Sequence, residues 1–143
     1  MLTRRTFLIV VLSILPGLAL AEPPQSDEEK FQGEWAVEKL EVQGKSAPPE
    51  FLKTGKYVFK NQTLSVYEND QSVGVSEITV DSTQTPKTID LTGKEGEGTG
   101  KMMFGIYKLE DDRLILCIGG SRPTEFNGAG EAGLLHLKRI MAE

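Results

Sequence analysis

Cysteine, histidine and tryptophan each occur once in this chain of 143 residues. One cysteine cannot close a disulfide within the chain, so the core alone has to hold the fold, even in an oxidising compartment. One histidine with no clustered partner offers no metal-ligand spacing. No motif calls for a cofactor. Basic charge is short as well: 16 Lys and Arg stand against 21 Asp and Glu, a net charge of −5. That balance argues against nucleic acid or an anionic membrane surface as partner. No long amphipathic helix can be traced, and one long apolar run is present, at the N-terminus.

That run follows a positive segment, residues 1–5. Its apolar core spans residues 7–15, and Ala19-Leu20-Ala21 then supplies small residues ahead of Glu22. The pattern is that of a secretory signal peptide, too short in its apolar part for a membrane span. TRRTFL, residues 3–8, also fits the twin-arginine export pattern. The strongly apolar core, with no basic residue before the cleavage site, fits general export instead. The expectation is a protein exported to the periplasm or outside the cell, with no membrane attachment after cleavage. An uncleaved anchor is the alternative. Removing residues 1–21 leaves 122 of the 143 residues, enough for one domain with its own core. The loss of Arg4 and Arg5 takes the charge from −5 to −7. Residues 22–29 read as a flexible leader and residues 30–143 as the domain.

Ser26 and Glu29 have capping-box spacing ahead of Phe31, which predicts one helical turn ended by Gly33. Short strands follow. Trp35 and Val37 alternate, then Leu40 and Val42 continue on shifted parity, which predicts a bulge in a strand over 35–42. A proline-bearing connection over 46–54 leads to strands at 57–60, 63–68, 73–80, 88–92, 101–109, 113–118 and 134–140. Turn chemistry lies at Gly44-Lys45, Asn61-Gln62, residues 69–72 and Asp111-Asp112. Residues 93–100, half glycine, read as a flexible hairpin loop. Eight strands joined mostly by short turns describe an all-β fold, an eight-stranded antiparallel up-and-down barrel whose closure removes exposed edges.

Gly33-Glu34-Trp35, placed before the first of eight strands, resembles the Gly-x-Trp signature of lipocalins. That resemblance implies a Trp35 that plugs one end of the barrel under a late basic side chain. Leu135, Leu137 and Arg139 share one face by the two-residue period, which makes Arg139 the partner. FQGEW at 31–35, PKTIDL at 86–91, GIYKL at 105–109 and RPTEF at 122–126 together resemble a lipocalin-like domain abundant in exported planctomycete proteins. The resemblance spans residues 30–140 and implies the fold. That family has no established activity, so it carries over no catalytic residue.

Cys117 and His136 fall on the last two strands, where such a pair could activate a thiol. Both faces of the LILCI strand are apolar, so Cys117 reads as a small buried hydrophobe. Its outer face needs a cover, for which the N-terminal turn and residues 46–54 are the candidates. GEGTGK at 96–101 fails as a phosphate loop, because Glu95 replaces the first glycine and Met102 the Ser or Thr. Asn61-Gln62-Thr63 fits the glycosylation pattern but also a simple turn. Arg122 is expected in a rim loop, either orienting a ligand or fixing the loop through Glu125 or a carbonyl. Phe126 is expected to anchor that loop in the core. No complete catalytic constellation can be assembled, so the chain is not read as an enzyme.

The expected function is therefore a monomeric exported barrel that binds a small apolar ligand. Tyr57, Phe59, Leu116 and Arg122 are its candidate binding residues, and Gly33, Trp35 and Arg139 its structural signature. Val37, Leu64, Val66, Ile89, Leu91 and Leu137 complete the expected interior. The alternative is a protein-interaction or envelope-associated module with a filled barrel.

Overall fold

The computed structural model describes residues 26–141; the expected signal segment lies outside them. A helical turn, α1 (Asp27–Phe31), leads into β1 (Gly33–Val42). The Ser26 side chain accepts a hydrogen bond from the Glu29 amide, so one of the turn's free N–H groups is satisfied. β1 carries the predicted bulge: its register against the last strand shifts between Val37 and Lys39, and Leu40 rejoins the inner face. A tight turn through Gln43 and Gly44, both at positive φ, sends the chain into a two-residue strand, β2 (Lys45–Ser46). Then comes α2 (Pro49–Thr54), which opens on proline where no amide is needed.

β3 (Gly55–Lys60), β4 (Thr63–Glu68), β5 (Gln71–Asp81), β6 (Lys87–Gly96), β7 (Met102–Glu110), β8 (Arg113–Gly119) and β9 (Gly133–Arg139) follow, each antiparallel to its neighbour. β9 pairs back onto β1, which closes eight strands into a barrel with β2 as an appendage. Besides Gln43, three further short turns among the described residues carry a non-glycine residue at positive φ: Asn61, the Asn69–Asp70 pair, and Asp111. These are residue types that tolerate that region. The glycine-rich segment is less of a loop than its composition predicts. β6 runs on to Gly96, because strand β5 is long enough to pair with it past a bulge at Lys94, where the register shifts between Val75 and Ser76.

Pairing carries the two-residue period around the barrel, so the inner face can be read strand by strand. Trp35, Val37, Phe59, Leu64, Ile78, Ile89, Leu91, Tyr107, Leu114, Leu116, Leu135 and Leu137 form one buried cluster with Phe31 of α1. Phe31 comes from outside the sheet and enters at the end where β1 begins. Its ring lies 5.2 Å from Phe59 and 4.9 Å edge-on to Tyr107. Phe51 and Leu52 of α2 pack on the same cluster. α2 follows β1 and precedes β3, which puts it at the opposite end of the barrel.

Ile106, Cys117 and Leu134 form a second, smaller cluster with Ile115 and Ala132. They alternate with inward Tyr107, Leu116 and Leu135, so they face outward. Their cover is neither α1 nor residues 46–54 as expected; it is the β8–β9 connection itself, residues 120–132. The Cys117 thiol reaches the Asn127 carbonyl at 3.6 Å. The Gly44 and Gln43 amides bond the Gly128 and Gly130 carbonyls at 2.8 and 3.1 Å. Gly128 is required here, since a Cβ would lie 2.8 Å from that of Glu41.

Candidate functional site

Two constellations lie at the α1 end. In the first, the Arg139 guanidinium stands 4.3 Å above the Trp35 ring. It donates to the carbonyls of Gln32, at 2.7 Å, and Lys30. The indole Nε1 donates to the Phe31 carbonyl at 2.9 Å. Three carbonyls at the C-terminal edge of α1, which the short helix cannot satisfy itself, thus find donors in the barrel. Arg139 sits there because β1 and β9 pair Trp35 directly with it. Gly33 is held at φ +122 with Arg139 Nη1 3.2 Å from where a Cβ would be. No side chain fits that backbone without strain.

The second constellation escaped the sequence reading. Asp27 Oδ2 accepts from the Tyr107 hydroxyl at 2.7 Å and from Lys87 Nζ at 2.9 Å. Burial works to raise the Asp27 pKa, but hydrogen bonds from Lys87 and Tyr107 and the charge of Lys87 outweigh it and hold the carboxyl below its usual value. Burial first, then Asp27, pushes the Tyr107 hydroxyl up, so it stays a proton donor. Lys87 and Tyr107 thus converge on one oxygen of Asp27. Among the described residues no buried side-chain nitrogen or oxygen lacks a partner. The arrangement ties α1 to β6 and β7. Its sequence signal was faint: Lys87 and Tyr107 lie in the quoted PKTIDL and GIYKL segments, but nothing in them names Asp27.

The expected ligand residues separate. Phe59 and Leu116 are buried in the interior at 1% and 0% exposure. Tyr57 faces inward beside Val66 and is only partly buried; burial pushes its hydroxyl up to about 12. Arg122, expected at the mouth, lies on the outer wall. It pairs with Asp90, not Glu125, donates to the Gly105 carbonyl at 2.9 Å, and lies 5.4 Å over the Phe104 ring. Asp90 and Phe104 alternate with inward Ile89 and Gly105, which fixes their side. Phe126, expected in the core, is 37% exposed. It borders an external cleft with Pro86, Lys87 and Leu109.

Cys117 and His136 do not meet. His136 pairs with Ile115 and lies near Lys39, Glu38 and Arg113; burial, then the Lys39 charge, lowers its pKa. Cys117 is fully buried under residues 120–132. Among the described residues no group of three or more His, Cys, Asp or Glu is placed to hold a metal ion, and no helix is long and apolar enough to cross a membrane.

Two larger clefts are external and polar. One of about 650 Å³ lies between α1 and the β3–β4 turn, and one of about 790 Å³ between α1 and the β7–β8 turn. The first has no buried core residue in its lining, and the second meets the edge of the interior only through Leu109 and Arg139. At the α2 end, Val42, Val73, Met102 and Met103 are 39–55% exposed where β1 ends and β5 and β7 begin. Compared with known proteins, the chain matches no family model, no curated protein and no solved structure.

Proposed function

We propose that this protein is an exported, lipocalin-like module that works through its surface, with a barrel filled by its own side chains. The observation that carries this reading is the packing of the interior. Phe31, Trp35, Phe59 and Tyr107 occupy the α1 end at 0–1% exposure, and Leu114, Leu116 and Leu137 continue the same packing. An eight-stranded barrel has room either for such a filling or for one small ligand. The apolar rim of Val42, Val73, Met102 and Met103 supports contact with another protein at the α2 end. The planctomycete family resemblance, the signal-like N-terminus and the acidic charge belong to this proposal.

A second reading, a carrier of a small apolar ligand, has one observation in its favour. Inward-facing Leu40, Tyr57, Val66 and Ile118, toward the α2 end, are only partly buried. Native mass spectrometry of the protein purified from its own source, followed by lipid extraction, separates the two. The expected result is the processed chain, bare or with a protein partner. A stoichiometric apolar small molecule would overturn the filled-barrel reading.

A further inference from the structure

The cover over the second apolar cluster is unusual in kind. Ile106, Cys117 and Leu134 are 1%, 0% and 8% exposed, although they project from the outside of the barrel. What hides them is a connection without regular secondary structure, residues 120–132. Such a segment has no ladder of its own, so its attachment rests on a few identifiable contacts. At one end Arg122 clasps the wall through Asp90, the Gly105 carbonyl and the Phe104 ring. At the other end the Gly128 and Gly130 carbonyls accept from the turn after β1. Between them, the Cys117 thiol donates to Asn127.

These contacts are independent of the barrel's closure. The strand pairs β7–β8, β8–β9 and β9–β1 run through backbone bonds that residues 120–132 do not share. Loss of the clasp therefore leaves the ladder whole. The side chains of Arg122 and Asp90 are 36% and 38% exposed, so their attraction is open to screening by salt. Segments held by few apolar contacts and exposed polar ones open locally, at free energies well below that of global unfolding.

We propose that residues 120–132 are a strap that opens as a unit while the barrel stays closed, with the Arg122 clasp setting how often it opens. Opening uncovers the strip of Ile106, Cys117 and Leu134 on the outer wall. Cys117 is the natural reporter, because it is the chain's one thiol and lies under the strap.

The experiment is native-state labelling of Cys117 with a small maleimide across low urea concentrations, in the full domain and in Arg122→Gln and Asp90→Asn. Circular dichroism and Trp35 fluorescence verify the fold of each variant. Strap opening gives a slow wild-type rate that does not change with low urea, rises with salt, and increases roughly tenfold in Arg122→Gln, which loses an ion pair and a charged hydrogen bond. Asp90→Asn gives a smaller rise, because the Gly105 carbonyl contact remains. The proposal is overturned if labelling follows global unfolding in urea, or if a folded Arg122→Gln labels at the wild-type rate. Should Arg122→Gln fail to fold, the urea and salt dependence of the wild-type rate decides between the same two outcomes.

Discussion

Arg139 illustrates how much one side chain can join. Its guanidinium stacks on Trp35, satisfies two carbonyls near the end of α1, and lies 3.6 Å from Asp112. The aliphatic stem is packed as well, since a side chain with 22% exposure keeps little of it in water. Replacing Arg139 by alanine should cost about 1–3 kcal/mol, read from urea unfolding followed by Trp35 fluorescence. Lysine should recover little of this, because an ammonium cannot stack flat and fork to two carbonyls at once. Wild-type stability in Arg139→Ala would remove the plug from the account. This pair was nominated from the sequence in two steps: the Gly-x-Trp resemblance implied a late basic partner for Trp35, and the two-residue period of the last strand then singled out Arg139.

Asp27 was not legible, and its behaviour depends on pH. In the folded protein its carboxyl is held below the usual value of 3.8. The folded state therefore binds fewer protons than the unfolded chain as pH drops past 4. The contribution of Asp27 is complete above the unfolded pKa and is lost as pH falls through the lower folded one. The carboxylate is 10% exposed but Lys87 is 41% exposed, so solvent screens part of that contribution. The stability difference between wild type and Asp27→Asn should shrink steadily between pH 5 and pH 2. Parallel curves over that range would show that the charge is not what matters.

On the scale of elements, α1 is too short to be stable alone and exists because the barrel holds it. Phe31 is its apolar tie, Asp27 its polar one, and Arg139 and Trp35 cap its carbonyls. Removing the ring in Phe31→Ala should cost about 3–5 kcal/mol by thermal or urea unfolding, the range for emptying a buried aromatic site. A loss under 1 kcal/mol would mean that α1 lies on the barrel without plugging it. The bulge in β1 has a different origin, and the sequence displays it openly. Val37 and Leu40 are three apart, an odd step that only an extra residue can reconcile with one inner face. The extension of β6 through Gly96 was hidden for the opposite reason. Glycine carries no side chain, so it gives no alternation to read, and only the partner strand reveals the pairing.

For the molecule as a whole, order along the chain and alternation within strands were sufficient for an all-β barrel of eight antiparallel strands. Each short turn joins neighbours, and a periodic apolar face must be buried somewhere; closure answers both demands. The inner residues Val37, Phe59, Leu64, Ile89, Leu91, Leu116 and Leu137 followed from the same period and all lie buried.

What only the tertiary structure decided is which distant groups meet. Arg122 found Asp90 rather than Glu125, because the strap runs back over the outer wall and not across the mouth. Cys117 found a cover in residues 120–132, which no apolar periodicity marks. Phe126 stayed near the surface although its composition suited a core. Local period is written into neighbouring residues, so the sequence by itself determined strands and their faces, while the Trp35–Arg139 nomination needed the Gly-x-Trp resemblance as well. The path of an irregular loop depends on contacts spread across the barrel, and those exist only once the barrel has closed.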